Sequence, residues 1–311
     1  MYETKKWAGL FAGPSLAFVL SAICWVEPAD ADVFSFNTGA VTNSIASASR
    51  PESTGKFEIE SADDFATTGQ QTFITSATFT GLLTGGATTA NIGSVRVEIY
   101  RVFPNDSNVA RTSGPPTFST VNVPTRVNSP SDVAFDERST ASGSLTFTTT
   151  LLSSNFTALN SVQPGGIHPQ PNQTTGGNLG ITGQEVEFHI SFPAPFDLPA
   201  DHYFFVPQVE VAGGEFLWLS GTRPLPPGTF PPGVTDLQSW TRDSTDISVG
   251  HVGIDPDWLR IGTDIVGTGT FNAAFSLDGF AVPRPGALPL FATGLAGLGL
   301  LGWRRKKKAA A

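Results

Sequence analysis

Cysteine is almost absent from the sequence. Cys24 is its one cysteine and lies in an uncharged stretch near the N-terminus. Once that stretch is removed, the remaining chain has no disulfide, no thiol nucleophile and no cysteine-ligated zinc. Motifs of the common catalytic classes are missing too, since there is no G-x-S-x-G elbow, no Walker loop and no G-x-G-x-x-G after a strand. No sequence signature therefore points to a cofactor, a metal or an enzyme.

Positive charge is scarce between the two ends of the chain. Residues 32–282 contain ten Lys and Arg against 24 Asp and Glu, a net charge of −14, and Lys56 is the one lysine among them. Such an acidic surface repels phosphate backbones, so we exclude nucleic acid as a partner. The charge also suits a protein that stays soluble outside the cell.

The N-terminus has the three parts of a secretory signal. Lys5 and Lys6 form a short basic region, and the twenty residues from Trp7 to Val26 carry no charge. Ala29 and Ala31 then place small residues where a signal peptidase cleaves. An uncleaved anchor is the alternative, because twenty uncharged residues can span a bilayer. We predict a signal-peptide helix within residues 1–31, removed after Ala31.

The C-terminus predicts one membrane-spanning helix. An uncharged run rich in Leu, Gly and Ala extends from Gly286 to Trp303. Five consecutive cations follow it and stop transfer: Arg304, Arg305, Lys306, Lys307 and Lys308. Both basic clusters belong on the cytosolic side by the positive-inside rule. Residues 32–282 are therefore predicted to lie outside the membrane.

A short proline-rich element comes before the uncharged run, formed by Val282, Pro283, Arg284 and Pro285. Together with the run and the basic end, it resembles the PEP-CTERM sorting signal. That family pattern is Val-Pro-Glu-Pro, a Leu/Gly/Ala-rich transmembrane stretch and an Arg-rich end. Arg284 departs from the pattern, because it reverses the charge of the family's Glu. The resemblance implies an exosortase, a membrane enzyme that cleaves near the motif and releases the ectodomain.

The two prolines of this element also make physical sense. They force an extended backbone without N–H donors, so the element cannot join the helix that follows. An extended peptide beside a membrane helix suits a membrane-bound peptidase. A plain C-terminal anchor is the alternative. We accordingly divide the chain into a signal peptide (1–31), an ectodomain (32–282) and a sorting tail (283–311).

The ectodomain shows the period-two alternation of β-strands. The alternating segments are residues 95–100, 185–192 and 270–277, with weaker ones at 56–60, 72–80 and 145–150. Residues 203–211 and 215–220 flank Gly213-Gly214, which predicts a hairpin. One apolar face per strand favours antiparallel sheets packed face to face. We predict an all-β fold, an antiparallel β-sandwich of jelly-roll type.

The segments between the predicted strands are long and rich in Pro and Gly. They cover approximately residues 103–143, 163–183 and 221–257 and are predicted as loops. Residues 38–54 have few apolar side chains, which predicts poor order.

Several polar groups are candidates for chemistry. Glu185 and Glu187 share one face of a predicted strand about 6.6 Å apart, which is compatible with an acid/base pair; solvated glutamates are the commoner reading. Asp243, Asp255 and Asp257 belong to an acidic loop region that could bind calcium, although solvated charge is again commoner. No histidine has metal-ligand spacing. We therefore predict no metal and no cofactor.

Tryptophans are concentrated late in the ectodomain. Trp218 lies in an apolar run and is predicted to be core. Trp240 and Trp258 lie beside a Pro-rich segment, where exposed rings could stack on sugars. We take these two residues as candidate sugar-binding residues.

These observations predict an exported protein rather than an enzyme. Its expected partners are signal peptidase, an exosortase and the membrane, and its expected role is structural or adhesive at the cell surface or in the extracellular matrix. The resemblance links that role to exopolysaccharide and biofilm. Two alternatives stay open: a carbohydrate-binding module for exopolysaccharide and a secreted sandwich-fold hydrolase.

The cleavage site gives the first prediction. Material exported to the cell surface should begin at Asp32, because Ala29 and Ala31 satisfy the peptidase. N-terminal sequencing measures this directly. Recovery of residues 1–31 on the surface protein would show that the segment is an uncleaved anchor.

Overall fold

The computed structural model describes residues 31–67, 69, 71–107, 127–167, 174–244 and 258–282. Within them the chain forms fourteen β-strands in two sheets and three short helical turns, at Thr89–Asn91, Pro164–Gly166 and Ile261–Val266. The predicted all-β fold is therefore confirmed for the described residues. In the same part of the chain, no helix has both the length and the hydropathy that a membrane span needs.

Many strands follow the alternation seen in the sequence, but Asp136–Ser139 and Trp240–Asp243 lie in segments that were predicted as loops. In chain order the strands are β1 (Asp32–Asn37), β2 (Ile45–Ala48), β3 (Ile59–Ala66), β4 (Gln71–Leu83), β5 (Ile92–Arg101), β6 (Asp136–Ser139), β7 (Thr146–Ala158), β8 (Asn160–Val162), β9 (Ile181–Leu198), β10 (His202–Val211), β11 (Phe216–Leu219), β12 (Trp240–Asp243), β13 (Leu259–Arg260) and β14 (Phe275–Val282). Every segment predicted as strand overlaps one of them.

The eight-stranded sheet is organised around β4. One edge of β4 pairs with β9 along nearly its whole length, and β9 pairs in turn with β7. The other edge pairs first with β14 and then, beyond Phe79, with β11. β1 lies outside β14, and β2 and β8 lie outside β11. All these pairs are antiparallel except β2 with β8.

The six-stranded sheet has the order β13-β12-β3-β10-β5-β6, with antiparallel pairs throughout. Strand β5 shows why the sequence folds this way. Val95, Val97 and Ile99 are buried in the core that this sheet shares with the first sheet. The residues between them point to the other face, because successive side chains of a strand alternate.

Aromatic side chains join the two sheets. The ring of Phe205, on β10, stacks on that of Phe275, on β14, with ring centroids 5.1 Å apart. Its centroid is also 6.0 Å from the ring of Trp218 and 6.3 Å from the ring of Phe79. These contacts cross from the six-stranded sheet to the eight-stranded one, and such pairs stabilise beyond their buried area.

The predicted hairpin at Gly213-Gly214 is wrong. β10 pairs with β3 and β5, whereas β11 pairs with β2 and β4, so the two strands belong to different sheets. Gly213 adopts a φ of +72°, and the turn carries the chain from one sheet to the other. Alternation identifies each strand, but it does not identify the strand's partner.

The prediction of poor order for residues 38–54 is also wrong. Strand β2 lies within this stretch and is buried between β11 and β8. Its Ala46, Ser47 and Ala48 are small enough to pack closely without a large apolar side chain. The Ser47 hydroxyl lies 2.7 Å from the Ser61 hydroxyl, so its polar atom is satisfied. Small residues can form a buried strand without a strong hydrophobic signal.

The aromatic core gives the second prediction. Phe205→Ala should lower the free energy of unfolding by about 3–5 kcal/mol, because it empties a site bounded by three rings. As a control, Phe280→Ala should cost less than about 1.5 kcal/mol, since Phe280 is 37% exposed and has one stacked partner, Phe73. Urea denaturation of the purified protein measures both. Equal losses would contradict a core centred on Phe205.

Candidate functional site

The outer face of the six-stranded sheet, which points away from the shared core, is buried and charged. On β5 this face carries Arg96, Glu98 and Tyr100, the residues that alternate with the core-facing valines and isoleucine. On β3 and β12, Glu60 lies directly opposite Arg242. Glu58 lies just before β3 and contacts the same group. We call these six residues the outer ion cluster.

Arg242 is the centre of the outer ion cluster. Its Nε donates to Glu60 Oε2, its Nη2 donates to the Tyr100 hydroxyl at 3.0 Å, and its Nη1 donates to the carbonyl oxygen of Asp132 at 3.0 Å. The Tyr100 hydroxyl in turn donates to Glu60 Oε1 at 2.5 Å. At the margin, Arg96 lies 2.9 Å from Glu58. The buried charges are thus paired and hydrogen-bonded, as burial requires.

Burial and the neighbouring charges shift the pKa values of Glu98 and Glu60 in opposite directions. Burial raises the pKa of Glu98 to about 9, assisted by the nearby charge of Glu60, a hydrogen bond between the two carboxyls and the charge of Glu58. Burial also acts to raise the pKa of Glu60, but the charge and hydrogen bond of Arg242 outweigh it and lower that pKa. At neutral pH, Glu98 is therefore protonated beside an ionised Glu60.

Trp258 covers the outer ion cluster. Its ring lies edge-on to Tyr100 at 5.5 Å and 4.5 Å from the guanidinium of Arg242, a cation–π distance. Its indole N–H donates to the carbonyl oxygen of Ser131 at 3.0 Å. Through these contacts Trp258 holds its own segment of the chain against the charged face of the sheet.

The outer ion cluster has the composition of a cation site and of an acid/base pair. Carboxylate oxygens of Glu58, Glu60 and Glu98 lie within 4.8 Å of one another beside a cavity of about 140 Å³. Arg242 already supplies the positive charge that a metal ion would bring. A protonated and an ionised carboxyl side by side can transfer protons, but both are buried. The outer ion cluster therefore acts chiefly to hold Trp258 and its segment against the six-stranded sheet.

The predicted sugar-stacking residues have buried rings. Trp240 is 1% exposed and Trp258 is 2% exposed, so neither presents a ring face to a sugar. This corrects the prediction from the sequence, where proximity to a Pro-rich segment indicated exposure. Both side chains lie on the outer face of the six-stranded sheet, in a small apolar cluster with Phe204 and Val206. Trp218 is core, as predicted.

Trp240 also lines a second, larger cavity of about 320 Å³, here called the Trp240 cavity. Arg223, Asp236 and Arg260 line it as well, and the Arg260 guanidinium lies 6.0 Å from the Trp240 ring centroid. Burial raises the pKa of Asp236. Among the described residues, Trp240 Nε1 and Asp236 Oδ1 are buried without a hydrogen-bond partner. Each of these two atoms exposes less than 1 Å², so neither is open to the space of the cavity.

Sequence reasoning missed a pair of buried aspartates on β3. Asp64, on the outer face, lies 2.6 Å from His202 Nε2 and accepts a bond from the Leu237 N–H. Asp63 faces the core and accepts bonds from Ser239 Oγ and the Ala273 N–H. Burial, and then the charge of Asp64, raise the pKa of Asp63 well above its usual value. The sequence signal that could have indicated this pair is the occurrence of two adjacent aspartates inside a strand.

The remaining candidates lie on the surface, outside the described residues or, for Asp243, in the buried strand β12. On β9, His189 Nε2 is 3.0 Å from Glu187 Oε1, on a partly exposed face that also carries Glu185. Ala31 is exposed just before β1, and Val282 is the last residue of β14. The predicted residues outside the described ranges are Ala29, Pro283, Arg284, Pro285, Arg304, Arg305, Lys306, Lys307, Lys308, Asp255 and Asp257.

Similarity to known proteins does not assign a function. Comparison with protein-family models, with curated proteins and with solved structures finds no match to this chain. Function therefore has to be inferred from the residues and their contacts.

The protonated carboxyl gives the third prediction. The folded protein keeps a proton on Glu98 up to pH about 9, whereas the unfolded chain releases it near the ordinary glutamate pKa. Rising pH between these values therefore favours unfolding, by up to about 1.4 kcal/mol per pH unit. Glu98→Gln removes the titration and keeps a hydrogen-bonding head group. The variant should lose less stability between pH 5 and about 9 than the parent does.

Urea denaturation at a series of pH values measures this difference. Below the ordinary glutamate pKa the two proteins should converge, because Glu98 is then protonated in both states of the parent. Parallel pH profiles would show that Glu98 is not held protonated by the fold.

Proposed function

We propose that this chain is an exported cell-surface or extracellular-matrix protein that an exosortase processes at its C-terminal sorting signal. One observation carries the proposal: the first and last strands of the ectodomain are neighbours. β1 begins at Asp32, the predicted first mature residue, and β14 ends at Val282, the first residue of the sorting element. The two strands pair antiparallel, with Asp32 opposite Ala281.

This pairing has a topological consequence for the two processing points. Antiparallel neighbours place the start of β1 and the end of β14 at the same end of the sheet. A signal segment before Asp32 and a sorting tail after Val282 therefore leave the folded domain side by side. Both can reach one membrane while the ectodomain, a β-sandwich of jelly-roll type in this proposal, stands clear of it.

The position of Val282 supports cleavage next to a folded domain. Val282 is paired with Gln71, so the sheet extends up to the residue before Pro283. Pro283 and Pro285 lack the N–H groups that would continue a ladder or a helix. From these two prolines we expect an extended sorting element between sheet and membrane, the form in which a peptidase binds its substrate.

A structural or adhesive role fits the ectodomain better than catalysis. Among the described residues, the strongest acid/base group is the outer ion cluster, and it lies beneath Trp258. The pair Glu185 and Glu187 is partly exposed, and Glu187 is engaged with His189. The hydrolase alternative has no open site among these residues. The role at the cell surface follows the resemblance to exopolysaccharide-linked sorting signals.

The sorting signal gives the fourth prediction. Replacing both Pro283 and Pro285 by Ala restores backbone N–H groups and permits the following helix to extend upstream. We expect this double variant to escape processing and to stay full-length in the membrane fraction. Arg284→Glu is the matched control, because it restores the family residue without changing the backbone constraint, and it should be processed at least as well as the parent.

Apparent mass and membrane partitioning, in cells with and without an exosortase, measure the outcome. Normal processing of the double-alanine protein would replace the sorting proposal with a plain membrane anchor.

A second candidate function is binding of exopolysaccharide, and the Trp240 cavity favours it. Asn128, Thr235 and Gln238 line it, and their polar groups can donate hydrogen bonds to sugar hydroxyls and accept bonds from them. An adjoining cavity of about 510 Å³ shares Arg223 and Thr270 with it, and Thr42, Ser44, Ser220 and Thr268 add hydroxyl groups to its lining.

The charges around the Trp240 cavity favour a neutral glycan. Arg223 lies 3.4 Å from Asp236 Oδ2 and donates to the Leu237 carbonyl at 2.7 Å. Arg260 forms a bidentate pair with Asp264. Both cations are already paired, so an acidic sugar would gain little from them. In this candidate function Trp240 forms part of the cavity wall, and the polar lining residues supply the hydrogen bonds.

The fifth prediction separates the Trp240 cavity from the outer ion cluster. Gln238→Ala removes an amide that lines the cavity and should weaken binding of neutral glucose, galactose, mannose or xylose oligosaccharides at least ~10-fold. Trp258→Phe is the control on the outer ion cluster, where the side chain loses its bond to Ser131. It should leave binding unchanged and be less stable than the parent by about 1 kcal/mol.

Titration calorimetry and thermal denaturation provide the two measurements. The carbohydrate function fails if no oligosaccharide of the panel binds, or if Gln238→Ala binds as well as the parent.

A further inference from the structure

Strand β7 is an edge strand of the eight-stranded sheet among the described residues. In the described part of the chain it pairs only with β9, so its other edge leaves backbone N–H and C=O groups unpaired. Its thirteen residues, Thr146–Ala158, include no charged residue and no proline. Thr146, Thr148 and Thr150 are exposed on one face, and Leu151 and Leu152, where the ladder to β9 shifts, are 50% and 48% exposed.

The other described edge strands are short or charged. β8 and β13 have three and two residues. β6 carries Asp136, Glu137 and Arg138 in four residues, and β1 begins with Asp32. Short strands and charges are the usual devices that prevent one sheet from adding to another. Strand β7 has neither device, in an ectodomain whose net charge is −14.

We propose that β7 is a self-association strand, at which a second copy of this chain pairs antiparallel to continue the sheet across a twofold axis. The proposal goes beyond export and sorting and does not depend on them. It describes how the chain could act structurally, because pairing joins two eight-stranded sheets into one continuous sheet.

The register of β7 defines which part can pair. The ladder to β9 is regular from Thr146 to Leu151 and shifts after it. This regular part is about 20 Å long at the rise of an antiparallel strand. A twofold axis at Thr148 would place Thr146 opposite Thr150 of the second copy and Phe147 opposite its Thr149. Thr–Thr and aromatic–β-branched pairs are favourable cross-strand pairs.

Charge argues for a second copy rather than a different protein. A partner chosen by electrostatics would be basic and would bind the acidic surface, whereas the regular part of β7 is an uncharged strip. Two copies meeting along this strip bring no like charges directly opposite each other. Uncharged, β-prone segments without proline are also those that pair with themselves.

A cysteine scan along β7 tests the proposal, because Cys24 is the one native cysteine. Single cysteines at positions 146 to 151 are placed in the full chain carrying Cys24→Ser, purified in detergent and oxidised. A symmetric antiparallel pair brings only the residue on the twofold axis within disulfide distance of its own copy. We expect disulfide-linked dimers to peak at one position, Thr148 or a neighbour, and to fall off on both sides.

Charge variants provide the second measurement. Thr148→Lys places two cations opposite each other and should weaken association at least ~10-fold in sedimentation from about 1 to 100 µM. Ser35→Lys is the matched control, because it adds the same charge to an exposed position on another edge strand, β1. It should associate like the parent. Thermal denaturation verifies that both variants are folded.

The proposal is overturned if the chain stays monomeric throughout this range and no cysteine position cross-links. It is equally overturned if Ser35→Lys disrupts association as strongly as Thr148→Lys, or if cross-linking is uniform along the strand. These readouts are independent of exosortase processing, so either proposal can fail without the other.

Discussion

Backbone pairing along β4 is the constraint on which the rest of the structure depends. Its thirteen residues are long enough to pair with β9 on one edge and with both β14 and β11 on the other. Strand β14 brings β1 beside it, and β11 brings β2. Strands β1, β2 and β14 are thus held by β4, directly or through one neighbouring strand. The neighbouring termini and the open edge at β7, on which the two main proposals rest, both follow from it.

Burial of charge on the outer face is the second organising feature. Charged residues are rarely buried fully unless they are paired, and here Arg242 pairs with Glu60 while Tyr100 bridges them. Protonation of Glu98 removes one further charge from the group. Replacing such a network by apolar residues is often neutral or stabilising. We therefore attribute to the network the orientation of its side chains rather than a gain in stability. It holds Trp258 in one place above the sheet.

Alternation predicted the strands and much of the core, as the case of Val95, Val97 and Ile99 shows. Alternation did not predict which strands pair, and so Gly213-Gly214 was assigned to a hairpin. It also did not predict that the polar face is buried. Alternation indicates that Arg96, Glu98 and Tyr100 share a face, but not that Trp258, distant in sequence, covers it. Segments of small residues such as β2 have no periodic signal because their burial depends on neighbours.

By itself the sequence determined what is local or additive: the all-β class, the acidic charge, the lack of thiols in the ectodomain, and the predicted signal and sorting segments. The tertiary structure decided which strands are neighbours, and hence that β1 lies beside β14 and that β7 is an open edge. It also decided that Trp240 and Trp258 are buried. The physical reason is that pairing and burial depend on residues far apart in the chain, and no local pattern records them.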